Sequence, residues 1–209
     1  MGVNASEDGD KSQGEGERSR PVRADTRRNL DILLKASLEV FATSGVDAPV
    51  REIAARAGVG VGTLYRHFPQ RSDLVAAVFR NEVDACADAA LTLAAGHGPA
   101  EALALWMQRY AAFIATKRGL AAALHSGDPA FDALPDYFQR RLLPALRGLL
   151  EAGAAAGEVR ADIEPNDLLS AIGRLGMRAS DDTADQTRRM VALLVDGLRY
   201  GASNRDMSA

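Results

Sequence analysis

The chain has 209 residues, 47% of them hydrophobic and 25% charged, enough for one or two domains with a packed core. Its single cysteine, Cys86, excludes an internal disulfide, and no apolar run approaches the ~20 residues of a membrane-spanning helix. The net charge of −3 is unevenly spread: residues 1–17 carry −4, residues 18–72 carry +5 and residues 73–209 carry −4. An acidic total therefore does not exclude nucleic acid as a partner, because the basic block is local. The polar N-terminus has no apolar signal segment, and the expected compartment is the cytoplasm.

Residues 1–22 read as a disordered tail, rich in Gly, Ser, Asp and Glu through its first twenty positions. Arg18, Arg20, Arg23, Arg27 and Arg28 cluster around Pro21. They form either a basic arm on DNA or a solvated leader to the first helix. From Thr26 to Ser44 the apolar residues Leu30, Leu34, Leu38 and Phe41 recur at helical spacing, and Gly45 ends the run.

Residues 50–74, VREIAARAGVGVGTLYRHFPQRSDL, read as two short helices joined by a glycine turn. Ala54 is small, so a second helix can cross close to the first. Gly58 stands where a chain leaving a helix needs a left-handed residue. Pro49 suits the first turn of the first helix. Leu64 and Phe68, four apart, share one face and anchor the second helix, with Ile53, Ala57 and Val59 also inward. The alternating Gly58, Gly60 and Gly62 do not make a nucleotide loop. That motif follows a buried strand, and here REIAARA is helical and partly charged. In a helix-turn-helix the second helix enters the major groove by its N-terminal end. Val61, Gly62, Thr63 and Arg66 are then the base-contact candidates, with Arg66 able to grip guanine bidentately.

The segments IAARAGV, GTLYRHF and the basic-x-acidic-Leu stretch that follows, all in register, resemble the tetracycline-repressor (TetR) family of bacterial regulators. The resemblance runs from Thr26 to about Phe79. It implies phosphate contacts from Thr63, Tyr65, His67, Arg71 and Arg51, and a homodimer on a roughly palindromic double-stranded operator. It also implies a repressor released by a small-molecule effector. Three positions depart from the pattern. Ala48-Pro49 stands where Thr is common, Gly60 replaces the usual Ser and weakens the second helix's cap, and Arg71 replaces the usual Lys.

The rest of the chain continues in helices, expected near residues 72–93, 99–117, 119–125, 131–154, 165–178 and 183–201, with a kink or break at Pro144. The expected fold is all-α: a three-helix helix-turn-helix head over residues 23–72 on a helical effector-binding and dimerisation body over residues 73–209. Leu74, Val78 and Phe79 face inward on the linking helix. Trp106, Tyr110, Phe113, His125, Phe131, Tyr137 and Phe138 gather most of the body's aromatics and either line a ligand pocket or fill the core. Leu168, Leu169, Ile172 and Leu175, with Gly173 and Gly176, form one apolar face. Met190, Leu193, Leu194, Gly197 and Leu198 form another. Together they serve a dimer interface, internal packing, or both. Cys86 reads as a packed thiol. The three histidines are scattered without a second ligand at metal spacing, and no catalytic constellation or cofactor motif stands out. The sequence therefore points away from an enzyme.

Overall fold

The computed structural model describes residues 19–124, 126–178 and 184–203, and among them it contains α-helices, one 3-10 turn and no strand. The helices are α1 (Ser19–Ser44), α2 (Val50–Ala57), α3 (Val61–His67), α4 (Arg71–Gly96), α5 (Pro99–Leu124), α6 (Leu134–Ala155), α7 (Pro165–Arg178) and α8 (Ala184–Ser203). The 3-10 turn, Pro129–Phe131, opens on Asp128, whose side chain accepts from the Ala130 amide.

α1 starts seven residues earlier than the spacing of its leucines predicts. Ser19–Val22 lie in this helix rather than in a tail, and so do Arg23, Arg27 and Arg28. Residues 1–18, including Arg18, lie outside the described residues. Pro21 is tolerated because a first-turn residue has no intrahelical acceptor for the N–H it lacks. α1 ends at Gly45, whose φ of +80° is left-handed. Ser37 is buried within it and donates to the Leu33 carbonyl at 2.7 Å, so no polar atom is stranded.

The helices are not interrupted at Gly119 or at Pro144. α5 runs unbroken through Gly119, because one glycine in a 26-residue helix packed on both α4 and α7 costs less than the contacts it keeps. α6 likewise continues through Pro144, whose ring sits on an exposed position. The expected helix start at residue 131 falls in the 3-10 turn instead, and Pro135 opens α6. α4 is longer than predicted by a turn in total, ending at Gly96.

One apolar core extends from Leu33 in α1 to Leu198 in α8. α1 packs on α2 and on α4, α4 packs on α5 and α6, and α5 packs on α7 and α8. Leu33, Val40 and Phe41 of α1 meet Ile53, Leu64, Leu74 and Val75 in the same cluster that continues into Trp106, Met107, Leu142 and Ile172. The division expected at residues 72 and 73 thus falls at the start of α4, and apolar packing passes across it without a gap.

Candidate nucleic-acid interface

α2 begins after Pro49, which is its N-cap (φ −59°, ψ 135°) and not its first helical residue, and no side chain caps it. It ends at Gly58, with φ +68°, ψ +29°, and the amides of the turn bond back into the helix: Val59 N–H to the Ala54 carbonyl at 3.0 Å, Gly58 N–H to the Ala55 carbonyl at 3.2 Å. Only a residue without Cβ takes that conformation cheaply. Ser44 Oγ donates to Glu52 Oε1 at 2.8 Å, and Arg56 pairs with Glu39 at 3.4 Å, so α2 is tied to α1 by polar bonds at its rim and by Ile53 and Ala54 underneath.

α3 has two different sides. Leu64 is buried, and Phe68, just beyond the helix, is buried with it, while Val59 and Ala57 fill the space below the turn. Opposite them Val61 is 40% exposed and Tyr65 50% exposed, with Gly62, Arg66 and His67 also exposed and Thr63 half-buried. Gly60 caps the helix with extended backbone and contributes no side-chain bond, as the glycine replacing serine predicts. Arg66 and Arg51 pair with no acidic group among the described residues. The helix that sequence spacing aims at a groove therefore presents unspent polar groups on one face and is fastened by its other.

Arg71 departs from the role that resemblance gives it. It stands at the first position of α4, half-buried, and its Nη1 and Nη2 donate to the backbone carbonyls of Val46 and Ala48 in the loop between α1 and α2. A guanidinium implied to grip phosphate is turned onto the protein's own backbone. Beside it Gln70 N–H donates to Asp73 Oδ2 at 3.0 Å and fixes the start of α4.

In the body, Trp106, Tyr110 and Phe113 are buried in the core. Trp106 and Tyr110 stack with centroids 5.5 Å apart, and the indole N–H donates to the Cys86 carbonyl at 2.9 Å. The Cys86 thiol is buried beside them, and burial pushes its pKa up to about 12. Burial likewise raises Tyr110. His125 lies outside the described residues. Phe138 and Phe131 do line a cavity of about 290 Å³, together with Phe79, Leu124, Leu134, Pro135 and Gln139. Sequence spacing did not bring Phe79 or Leu124 into that set, since they come from α4 and α5 and only the helix packing assembles them.

Tyr137, grouped with the pocket aromatics from sequence, is instead part of a polar latch between α4 and α6. Its hydroxyl donates to the Asp84 carboxylate at 2.6–2.7 Å. Arg141 bonds Asp84 at 2.6 Å and Asp88 at 2.7 Å. Each helix supplies two groups four residues apart, so one face of each is spent on the other. Desolvation, then the hydrogen bond and charge of Asp84, hold the Tyr137 pKa above its ordinary value.

The apolar faces of α7 and α8 are also divided by the packing. Leu168, Leu169, Ile172, Val191, Val195 and Leu198 are buried inside the protomer, so Leu168, Ile172 and Leu198 are core positions and not a free interface. Leu175 and Leu194 are partly buried. Met177, Met190, Leu193 and Tyr200 are exposed. No helix among the described residues is long and apolar enough to cross a membrane.

Family comparison agrees with this arrangement. The family model for bacterial regulatory proteins of the tetR family matches residues 33–78, and that for the C-terminal domain of SbtR-like transcriptional regulators matches residues 98–200. A TetR transcriptional regulator from Streptomyces coelicolor of known crystal structure is 38% identical, with a TM-score of 0.73 over 81% of this chain and 97% of that one. The regulator FadR from Bacillus subtilis, crystallised with stearoyl-CoA, has the same fold at 20% identity, with a TM-score of 0.60 over 82% of this chain and 98% of that one. Among curated proteins, an HTH-type transcriptional regulator of Staphylococcus aureus is 34% identical over 64 residues, which are 30% of this chain and 35% of that protein's length. On these matches, end to end in the Streptomyces structure, and on the fastened, polar-faced α3, the chain belongs to the TetR family of bacterial transcriptional regulators.

Proposed function

We infer that the protein is a homodimeric repressor that binds a two-fold operator through α3 and leaves it when a small apolar molecule enters the body. The observation that carries the reading is the two-sided α3, buried at Leu64 and open at Val61, Gly62, Tyr65, Arg66 and His67. Val61, Gly62, Thr63 and Arg66 contact base edges, Arg66 by its fork. Arg51, Thr63, Tyr65 and His67 hold phosphates, as hydroxyls and cationic groups do without reading sequence. The partner copy docks against the exposed residues of α7 and α8, Met177, Met190, Leu193 and Tyr200. In this reading the protein acts on genomic DNA in the cytoplasm.

The effector site in this reading is the 290 Å³ cavity walled by Phe79, Phe131, Leu134 and Phe138, with the Gln139 amide at its edge. Stearoyl-CoA bound to the Bacillus subtilis regulator is a precedent for a ligand with a long apolar chain in this fold. The volume here suits a far smaller molecule. An occupant pressing on Phe79 acts on α4 eight residues beyond Arg71, the first residue of that helix. Release follows if the occupant favours the tilt in which the two heads no longer fit successive grooves.

The deciding experiment is binding of the purified protein to DNA upstream of its own gene, against a scrambled duplex of equal length, across a salt series. Preference of about 10³-fold or more at physiological salt is the expected result for a specific regulator. Equal, steeply salt-dependent binding to both duplexes, repeated on duplexes selected from a random pool, would instead leave a basic head that touches phosphates alone.

A further inference from the structure

We propose that Arg71 is a positioning residue that ties α4 to the loop opening the helix-turn-helix, and that it sets the pose of α3 on DNA without touching phosphate. The inference rests on α3 as the DNA-reading helix but concerns a residue outside it.

The geometry is specific to arginine. The two terminal nitrogens of one planar guanidinium reach two carbonyls, Val46 and Ala48, that lie two residues apart on one short loop. A lysine ammonium is a point donor and cannot span both in a fixed fork. The loop itself is tight. Gly45 turns left-handed at its start, the Ala48 amide bonds back to the Gly45 carbonyl at 3.2 Å, and the Ala48 side chain is buried. Pro49 then has no N–H to offer, so the loop donates little to its own carbonyls, and the guanidinium is the donor that satisfies these two.

The position of this tie gives it leverage. α3 packs on α2, α2 on α1, and α1 on α4. α4 also follows α3 after only three residues, so a shift of α4 reaches α3 through that short link and through the shared core. Arg71 adds a direct, charge-assisted link from the first residue of α4 to the residues that lead into α2. The arginine standing where the family pattern has lysine keeps a positive charge and adds this fork.

The test uses the full-length protein and the tightest duplex that the wild type selects from a randomised pool. Wild type, Arg71→Lys and Arg71→Gln are titrated against that duplex and a scramble, across a potassium chloride series, after circular dichroism confirms native helicity. Both variants should bind the selected duplex about tenfold or more weakly, the loss expected when bonds from a charged donor are removed. Their log–log salt slopes and scramble affinities should match the wild type. The proposal is overturned if Arg71→Lys binds like the wild type while Arg71→Gln loses about one unit of slope on both duplexes, the signature of a phosphate contact. It is equally overturned if neither variant changes binding. Amide exchange in the free protein gives a reading that needs no DNA. The Ala48 amide should exchange faster in Arg71→Lys, and unchanged protection of residues 46–52 would remove the tie even if no selective duplex is found.

Discussion

Leu64 and Arg66 lie two residues apart on α3, and their surroundings assign them opposite work. Leu64 is buried against the core, so the helix cannot roll, and Arg66 is exposed and pairs with no acidic group among the described residues. Arg66→Ala should weaken binding to the selected duplex by about 1–3 kcal/mol and relax base preference at one position. Equal weakening on all sequences, read by competition with single-base variants of the site, would move Arg66 from base reading to phosphate contact. The buried and exposed sides of α3 were legible in the sequence because alternation between Leu64, Phe68 and the polar residues follows the helical period. The bond of Arg71 was not. A charge on a helix says nothing of which distant carbonyl it will meet, and Val46 and Ala48 are more than twenty residues away.

Two helix pairs show packing doing what periodicity cannot. α7 crosses α5 at Gly176, where a Cβ would lie 2.7 Å from the Ala111 carbonyl oxygen and 2.8 Å from Ile114 Cβ. Gly176→Ala gains about 1 kcal/mol of helix propensity, yet overpacking against backbone costs about 1–3 kcal/mol. The net result expected in urea unfolding is a lower midpoint, and a raised midpoint would mean that the crossing is loose. The sequence marks this glycine as one of close approach, but only the fold shows that the close neighbour is α5 of the same chain. α4 and α6 are joined by the latch of Asp84, Asp88, Tyr137 and Arg141. A tyrosine whose folded pKa is raised contributes stability below its unfolded pKa, about 10, and loses it as pH rises through the folded value. Stability should therefore decline with pH above about 10, and Tyr137→Phe should flatten that limb. An identical alkaline decline in the variant, followed by thermal melts, would separate Tyr137 from it.

At the scale of the molecule, one core joins the head to the body, so the effector proposed beside Phe79 would have a packed route to α3 through α4. The same packing spends much of α7 and α8 internally and leaves Leu193 at 63% exposure with Met190, Met177 and Tyr200 also exposed, the face proposed for a partner copy. Leu193→Glu should give a monomer by analytical ultracentrifugation and abolish tight binding to a two-half-site duplex, because a single head retains only one half-site. A dimer that survives this change would place the interface elsewhere.

The sequence by itself determined the all-α class, the helix-turn-helix, the left-handed Gly58 and the family. Each of these depends on short-range periodicity or on one residue's backbone preference, which a linear string records in full. Tertiary structure decided which aromatics are core and which line a cavity, which leucines of α7 and α8 remain free, and what Arg71 holds. Those outcomes depend on which helix faces meet, and residues such as Phe79 and Phe138 or Arg71 and Val46 become neighbours only when the chain has packed.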